Sequence, residues 1–200
     1  MEKQLIISIG REFGSAGHEI AERLSKVYQL PLYDHNLLRE VAKERNMNHE
    51  MLAEFDEMKR NKLLTRTVNG MTSSPAHHVA NMQFDFLRGK AEKGESFVVV
   101  GRCSNDVLRE FPGLVSIFVI GDMDSKVERI SKLYSVSDAA AMKLIRDRDR
   151  SRKKYHNSNS KLKWGDSRSY DLTLNSSKLG LEESVRILKD YIDTRMSLMK

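Results

Sequence analysis

Two glycines and a run of arginines carry most of the chemistry legible in this chain. Gly14 and Gly17 fall in the turn between an apolar stretch, Leu5–Ile9, and a helical pattern that opens at Ala16. Glycine tolerates positive φ and lets backbone N–H groups approach an anion closely, and the N-terminus of the following helix adds partial positive charge. The stretch "GREFGSAGHEIA" therefore has the parts of an anion cradle: Arg11 at its start, then Gly14, Ser15, Ala16, Gly17, His18 and Glu19. It does not follow the pattern G-x-x-x-x-G-K-[ST] of the conventional phosphate loop. Counting back from Gly17, Glu12 stands in the first glycine slot, His18 in the lysine slot and Glu19 in the hydroxyl slot. A glycine turn between strand and helix is also common without a ligand, so the turn alone leaves phosphate binding and a plain tight connection open.

The second feature is "RDRDRSRKKYH", Arg146 to His156, which holds much of the net charge of +6. On a helix, Arg148 and Arg152 share one face, with Asp149 three residues before Arg152. Guanidinium groups grip phosphate in bidentate fashion and supply the dispersed positive charge that phosphoryl transfer needs. A solvated helix face with alternating charge would give the same pattern. Arg102 follows a buried-type strand at its carboxyl end, where open α/β sheets bind ligands; the plainer reading is a structural ion pair. His18 can donate one hydrogen bond to a phosphate but does not replace a permanent cation. Asp34 can reach Mg²⁺ through water, orient an acceptor, or cap the next helix. Cys103 reads as a buried inert thiol. Packing suffices to explain Trp164 and Tyr170.

The elements that must position these groups alternate along the chain. Buried-strand runs are Leu5–Ile9, Phe97–Val100 and Val115–Ile120, with a weaker Leu172–Leu174 and a very short Leu32–Tyr33. Helical periodicity covers Ala16–Tyr28, His35–Arg45, Ala76–Lys93, Ser125–Tyr134, Asp138–Lys154 and Leu181–Met199. Strand–helix alternation implies a parallel sheet covered on both faces. Asn46–Pro75 has no strand signal and reads as an inserted helical lobe on the substrate side, ending in the loop "NGMTSSP". The 200 residues, 40% hydrophobic and 31% charged, suit one globular domain rather than a disordered or membrane chain. A single cysteine, Cys103, rules out an internal disulfide framework and argues against a zinc site. With no signal-peptide core at the N-terminus, cytoplasm is the economical location.

Taken in order, six segments resemble the cytidylate kinase-like branch of the P-loop nucleoside monophosphate kinases. "IISIGREFGSAGHEIAERL" is similar to that branch's variant phosphate loop, which lacks the usual lysine. "LPLYDHNLLREVA" resembles its short second strand and the Asp before the next helix. "FVVVGRCSNDVL" resembles its strand ending in Gly-Arg, and "VSIFVIGDMDSKVERI" its fourth strand and the helix with an inward arginine. "RDRDRSRKKYH" resembles the lid, and "WGDSRSYDLTLNSSKLGLEE" the last strand and helix. Two positions depart from classical cytidylate kinases: His18 replaces the lysine, and Cys103 replaces an Asp that helps recognise cytosine.

The resemblance implies an α/β, P-loop NTPase-like domain over residues 1–200. It would have a five-stranded parallel sheet with helices on both faces, a helical acceptor-side insertion at 46–75 and an arginine-rich lid at 146–165. It implies ATP-dependent phosphoryl transfer to a nucleoside monophosphate or related small phosphorylated acceptor, with ATP and Mg²⁺ and no resident protein-held metal. Arg148, Asp149, Arg152 and His18 would act in catalysis; Arg11 and Gly14–Glu19 would hold the nucleotide; Asp34, Arg39, Arg102 and Arg129 would hold the acceptor. A lid arginine would take over the role of the lysine. A non-catalytic nucleotide sensor is the alternative. A nucleic-acid binder ranks last, because the basic block is not interleaved with aromatic residues.

Overall fold

The computed structural model describes residues 3–45, 47, 50, 67–68, 71–72 and 75–199. The apolar run after Gln4 forms β1 (Ile6–Arg11), whose first four residues are buried, as a strand in the middle of a parallel sheet must be. The chain then turns into α1 (Gly17–Tyr28), which buries Gly17, Ile20, Ala21 and Leu24 along one stripe. A short β2 (Leu32–Tyr33) leads to α2 (Leu37–Glu44). Next come two paired two-residue strands, β3 (Thr67–Val68) and β4 (Met71–Thr72), then α3 (Pro75–Glu92) and β5 (Phe97–Val100). A single turn, α4 (Ser104–Val107), precedes β6 (Leu114–Ile120) and α5 (Met123–Tyr134). The last elements are α6 (Asp138–Asn159), β7 (Leu172–Asn175) and α7 (Ser176–Leu198), the last interrupted at Gly180, where φ is 72° and ψ is 177°.

The main sheet runs β2–β5–β1–β6–β7, and every neighbouring pair is parallel. Alternation along the strands divides the core. Ile6, Phe97 and Val99 pack with Leu37, Val41, Val79 and Leu87 under α2 and α3. Ile7, Ile9, Val98, Val100, Ile117 and Val119 pack with Ile20 and Leu24 of α1 and Leu188 and Ile192 of α7. Each fully buried Ile or Leu contributes about 1.5–3 kcal/mol relative to exposure. A third, smaller cluster, Val127, Ile130, Ala141 and Ile145, joins α5 to α6, and Phe13 from the loop after β1 packs against it. That contact brings the glycine turn and the basic helix together.

Three expectations change. β3 and β4 form an antiparallel ribbon inside a segment read as helical; the intervening sequence is Asn-Gly, a dipeptide favoured in two-residue hairpins. Glu50 is helical, and most of 46–74 lies outside the described residues. The helix expected over Asp138–Lys154 runs on to Asn159: α6 starts at a cap in which Ser137 Oγ accepts from Ala140 N–H at 3.3 Å, and no Gly or Pro interrupts it before Asn159. Finally, α7 opens at Ser176, five residues earlier than its periodicity suggests, because Asn175 caps it through Ser177 N–H.

Candidate functional site

The turn after β1 is shaped by Gly14 (φ +86°) and Ala16 (φ +57°). A left-handed alanine costs about 1–2 kcal/mol, which the surrounding structure must offset. A Cβ on Gly14 would lie 3.1 Å from the Cβ of Lys126, and one on Gly17 would lie 2.6 Å from the Cβ of Arg11. Glycine at these positions therefore lets α5 and the end of β1 approach the turn. The support beneath it is ionic. Lys126 is buried, with 4% exposure; its Nζ is 2.9 Å from Glu12 Oε2 and 3.5 Å from Asp149 Oδ2. The same Glu12 oxygen accepts from Gly121 N–H at 3.2 Å. Ser15 Oγ donates to Glu12 O, and Ser176 Oγ donates to Ser15 O.

From above, α6 clasps the turn. Phe13 N–H donates to Asp149 Oδ1 at 2.6 Å, Arg152 Nη1 donates to Arg11 O at 3.2 Å, and the Arg152 guanidinium lies 5.4 Å from the Phe13 ring. Burial pushes the Asp149 carboxyl up, while Phe13 N–H and Lys126 hold it down.

Beside the turn, at the carboxyl ends of β1 and β5, lies a cavity of about 350 Å³. Arg11, Arg102, Arg148 and Arg152 all line it. Gly101, Arg102 and Cys103 have consecutive positive φ values of 77°, 56° and 55°. Two non-glycine residues in that region store strain, a feature concentrated at ligand sites. A Cβ on Gly101 would lie 2.5 Å from Arg11 Nη1, so glycine makes room for the guanidinium. Burial, reinforced by repulsion from Arg152 and Arg102, pushes Arg11 down to about 9, and burial lowers Arg152 as well. Arg11 Nε is buried and finds no hydrogen-bond partner among the described residues. Clustered, desolvated cations are stable only with compensating negative charge. The arrangement can accept a multiply charged anion.

The rest of the lining is aromatic and polar. Trp164 and Tyr170 pack on Phe118 with ring centroids 5.2 and 4.8 Å apart, and the Arg102 guanidinium lies 5.9 Å from the Tyr155 ring. His156 Nε2 and Asn105 Oδ1 are 3.1 Å apart, and Asn105 Nδ2 donates to Ser169 O; burial lowers the His156 pKa and favours its neutral form. Burial also pushes the Cys103 thiol up to about 12, so it is not a nucleophile. Asp171 accepts from the backbone N–H and side-chain hydroxyl of Ser116, tying β7 to β6.

The sequence candidates are thus distributed unevenly. Arg11, Asp34, Arg102, Arg148 and Arg152 line the cavity. Gly14–Glu19 form the adjoining turn and helix start, and Asp149 holds the Phe13 amide. His18 Nε2 lies 3.3 Å from Glu22 Oε1 and 3.5 Å from Asp34 Oδ2, and His35 Nδ1 lies 2.9 Å from that same Asp34 oxygen. Arg129 is not among the cavity residues, because it forms an ion pair with Glu19. Arg39 is exposed on α2 and also lies outside the cavity. Sequence reasoning missed Lys126, whose signal was its place four residues before Ile130 on the inward stripe of α5. It also missed His35, His156 and Asn105, which carry no pattern of their own.

Residues 6–178 match the cytidylate kinase-like family. No curated protein sequence matches the chain. Among solved structures, an uncharacterized protein from Eubacterium ventriosum is 36% identical, with a TM-score of 0.76, over 96% of this chain and 99% of that one. Shikimate kinase from Bacteroides thetaiotaomicron is 12% identical, with a TM-score of 0.56, over 94% and 98% of the two chains. Shikimate kinase from Acinetobacter baumannii, solved with shikimate, is 10% identical, with a TM-score of 0.53, over 100% and 97%. At such identities the two shikimate kinases speak to the fold, which they share: a five-stranded parallel sheet with helices on both sides.

Proposed function

The chain belongs to the cytidylate kinase-like family, and from that premise we propose that it transfers the terminal phosphate of ATP to a nucleoside monophosphate or a similar small phosphorylated acceptor. One observation carries the reading: four arginines converge on one cavity at the carboxyl ends of β1 and β5, and Arg11 among them is pushed down to about 9. That cluster is costly without an anion and suited to phosphate with one.

In this reading the turn amides from Gly14 to Glu19 hold the donor phosphates, helped by the N-terminus of α1. Arg102 and Arg11 hold the acceptor phosphate from the sheet side. Arg148 and Arg152 approach from α6 and stabilise the transferring group. The acceptor oxygen is already ionised, so the reaction needs positioning and dispersed charge rather than a strong base. An arginine finger supplies roughly 10³–10⁵ in related phosphoryl transfer, enough to stand in for the missing lysine. Tyr155, Trp164 and Tyr170 provide flat apolar surface for an acceptor ring, and Cys103, in place of the Asp, leaves cytosine without that partner.

P-loop kinases generally use ATP with Mg²⁺. The hydroxyl slot is Glu19, engaged with Arg129; Asp34, the carboxylate among the described residues lining the cavity, would reach the ion through a water rather than by a direct bond. When bound, the ion neutralises charge on the transferring phosphate. The two inward arginines of the basic block favour a small anionic ligand over nucleic acid. No helix among the described residues is long and apolar enough to cross a membrane.

The test is a panel of nucleoside monophosphates with Mg-ATP, scored by chromatographic detection of ADP and the phosphorylated product. Turnover of one acceptor, lost in Arg152→Ala, is expected. Tight ATP binding with no turnover across the panel supports the sensor reading instead, which His18 in the lysine slot and Asp149 on the Phe13 amide favour.

A further inference from the structure

We propose that His18, Asp34 and His35 form a binding site for a divalent transition-metal ion such as Zn²⁺, distinct from the Mg²⁺ that accompanies a nucleotide. One ligand atom from each residue lies within 4.8 Å of the others. Asp34 Oδ2 is the hub, 2.9 Å from His35 Nδ1 and 3.5 Å from His18 Nε2. Metal–nitrogen and metal–oxygen bonds of about 2.0–2.2 Å place tetrahedral ligands roughly 3.3–3.5 Å apart. Two edges of the triangle already approach that spacing, and the third closes by rotation of the exposed His35 ring.

The carboxylate is set in advance. Asp34 is buried, and its Oδ1 accepts from Asn36 N–H at 3.0 Å, while Asn36 Oδ1 accepts from Asp34 N–H at 3.3 Å. This exchange fixes the Asp34 side chain with its second oxygen toward both imidazoles. Outer contacts of this kind hold metal ligands in place and tune affinity. His18 is equally constrained, as the second residue of α1 directly after the glycine turn. Glu22 lies 3.3 Å from the same His18 nitrogen and shares it with Asp34 in the ion-free form.

Two imidazoles and one carboxylate suit Zn²⁺, Co²⁺ or Mn²⁺, whereas Mg²⁺ takes oxygen ligands. Three protein ligands leave a further position open. Asp34 and His35 also line the arginine cavity, so that position adjoins the place proposed for phosphate. A bound ion restores, next to His18, the permanent positive charge that the lysine slot lacks. Arg11 is close enough to Asp34 to feel its charge and opposes the ion, and a bound phosphate offsets that repulsion. This role rests on the phosphoryl-transfer reading; binding of the ion itself does not.

The full chain, stripped with chelator and free of nucleotide, is titrated with Zn²⁺ by calorimetry and with Co²⁺ by visible absorption. One ion per chain is expected, with ligand-field bands for Co²⁺ and no displacement by millimolar Mg²⁺. His18→Gln and His35→Gln, both at solvent-accessible positions and checked by circular dichroism, each weaken binding at least about tenfold; Asp34→Asn does the same. No stoichiometric binding, or equal binding by the two histidine variants, overturns the proposal: the contacts are then hydrogen bonds to a shared carboxylate. Because no nucleotide is present, this outcome is read separately from any failure of the kinase assay.

Discussion

Replacing Arg11 by methionine separates the cost of the arginine cluster from its use. Methionine keeps the unbranched stem that packs against Gly17 and removes only the guanidinium. Arg11 is pushed down to about 9 by burial and by Arg152 and Arg102. At about 1.4 kcal/mol for each tenfold loss of proton affinity, the penalty is at most about 5 kcal/mol. Part of it is shared with the neighbouring arginines, and solvent in the cavity screens the remainder, so a net gain of about 1–2 kcal/mol is expected on substitution. For a chain of this size that is roughly 3–6 °C in Tm.

The same substitution should impair anion binding. Loss of a charge-assisted hydrogen bond of about 1.5–3 kcal/mol weakens tripolyphosphate roughly 10–100-fold. The assay is thermal unfolding with and without tripolyphosphate. Wild type gains Tm with the anion by linkage, whereas Arg11→Met starts higher and gains less. A variant that is less stable than wild type without anion, or that responds to the anion equally, refutes the reasoning.

Three further outcomes follow from other groups. Lys126→Met strands the Glu12 and Asp149 carboxylates under the turn and costs about 2–4 kcal/mol in urea denaturation at pH 7. The loss shrinks as pH falls, because Asp149, whose carboxyl burial already pushes up, takes up a proton more readily once Lys126 is gone; a loss under 1 kcal/mol at pH 7 rules out the ionic support. Cys103, with its thiol pushed up to about 12, reacts with a disulfide reagent at pH 8 only after denaturant is added, and rapid native labelling contradicts its burial. Arg168 holds Asp166 down to about 2 through its guanidinium and its backbone N–H, so an NMR titration finds its midpoint there, and Arg168→Ala, which keeps the N–H, moves it part of the way back up toward the ordinary carboxylate value. Its contribution to stability is present above the ordinary carboxylate range and disappears as pH falls toward 2.

The strands were legible because burial on both faces leaves unbroken Val and Ile runs, as at Phe97–Val100 and Leu114–Ile120. β2 was legible only as a short run, since two residues carry no periodicity. The ribbon at 67–68 and 71–72 was hidden because its strands are too short to alternate, although Asn-Gly stood between them. At the site, Gly14, Gly17 and the basic block were visible as types and spacings. What joins them was not: the Phe13 amide on Asp149 spans 136 positions of chain. Lys126 escaped notice because a lysine is expected in water, and only the three-dimensional placement of Glu12 and Asp149 explains its burial. The left-handed turn at Arg102 and Cys103 has no sequence signature, since neither residue favours that conformation.

The most direct test of the central claim is a crystal structure with a non-hydrolysable ATP analogue and Mg²⁺. The account predicts phosphate oxygens on the backbone N–H groups between Gly14 and Glu19, with the terminal phosphate touching Arg148 or Arg152 in the cavity. Phosphates bound elsewhere, with Asp149 still on the Phe13 amide and the cavity arginines untouched, would contradict it.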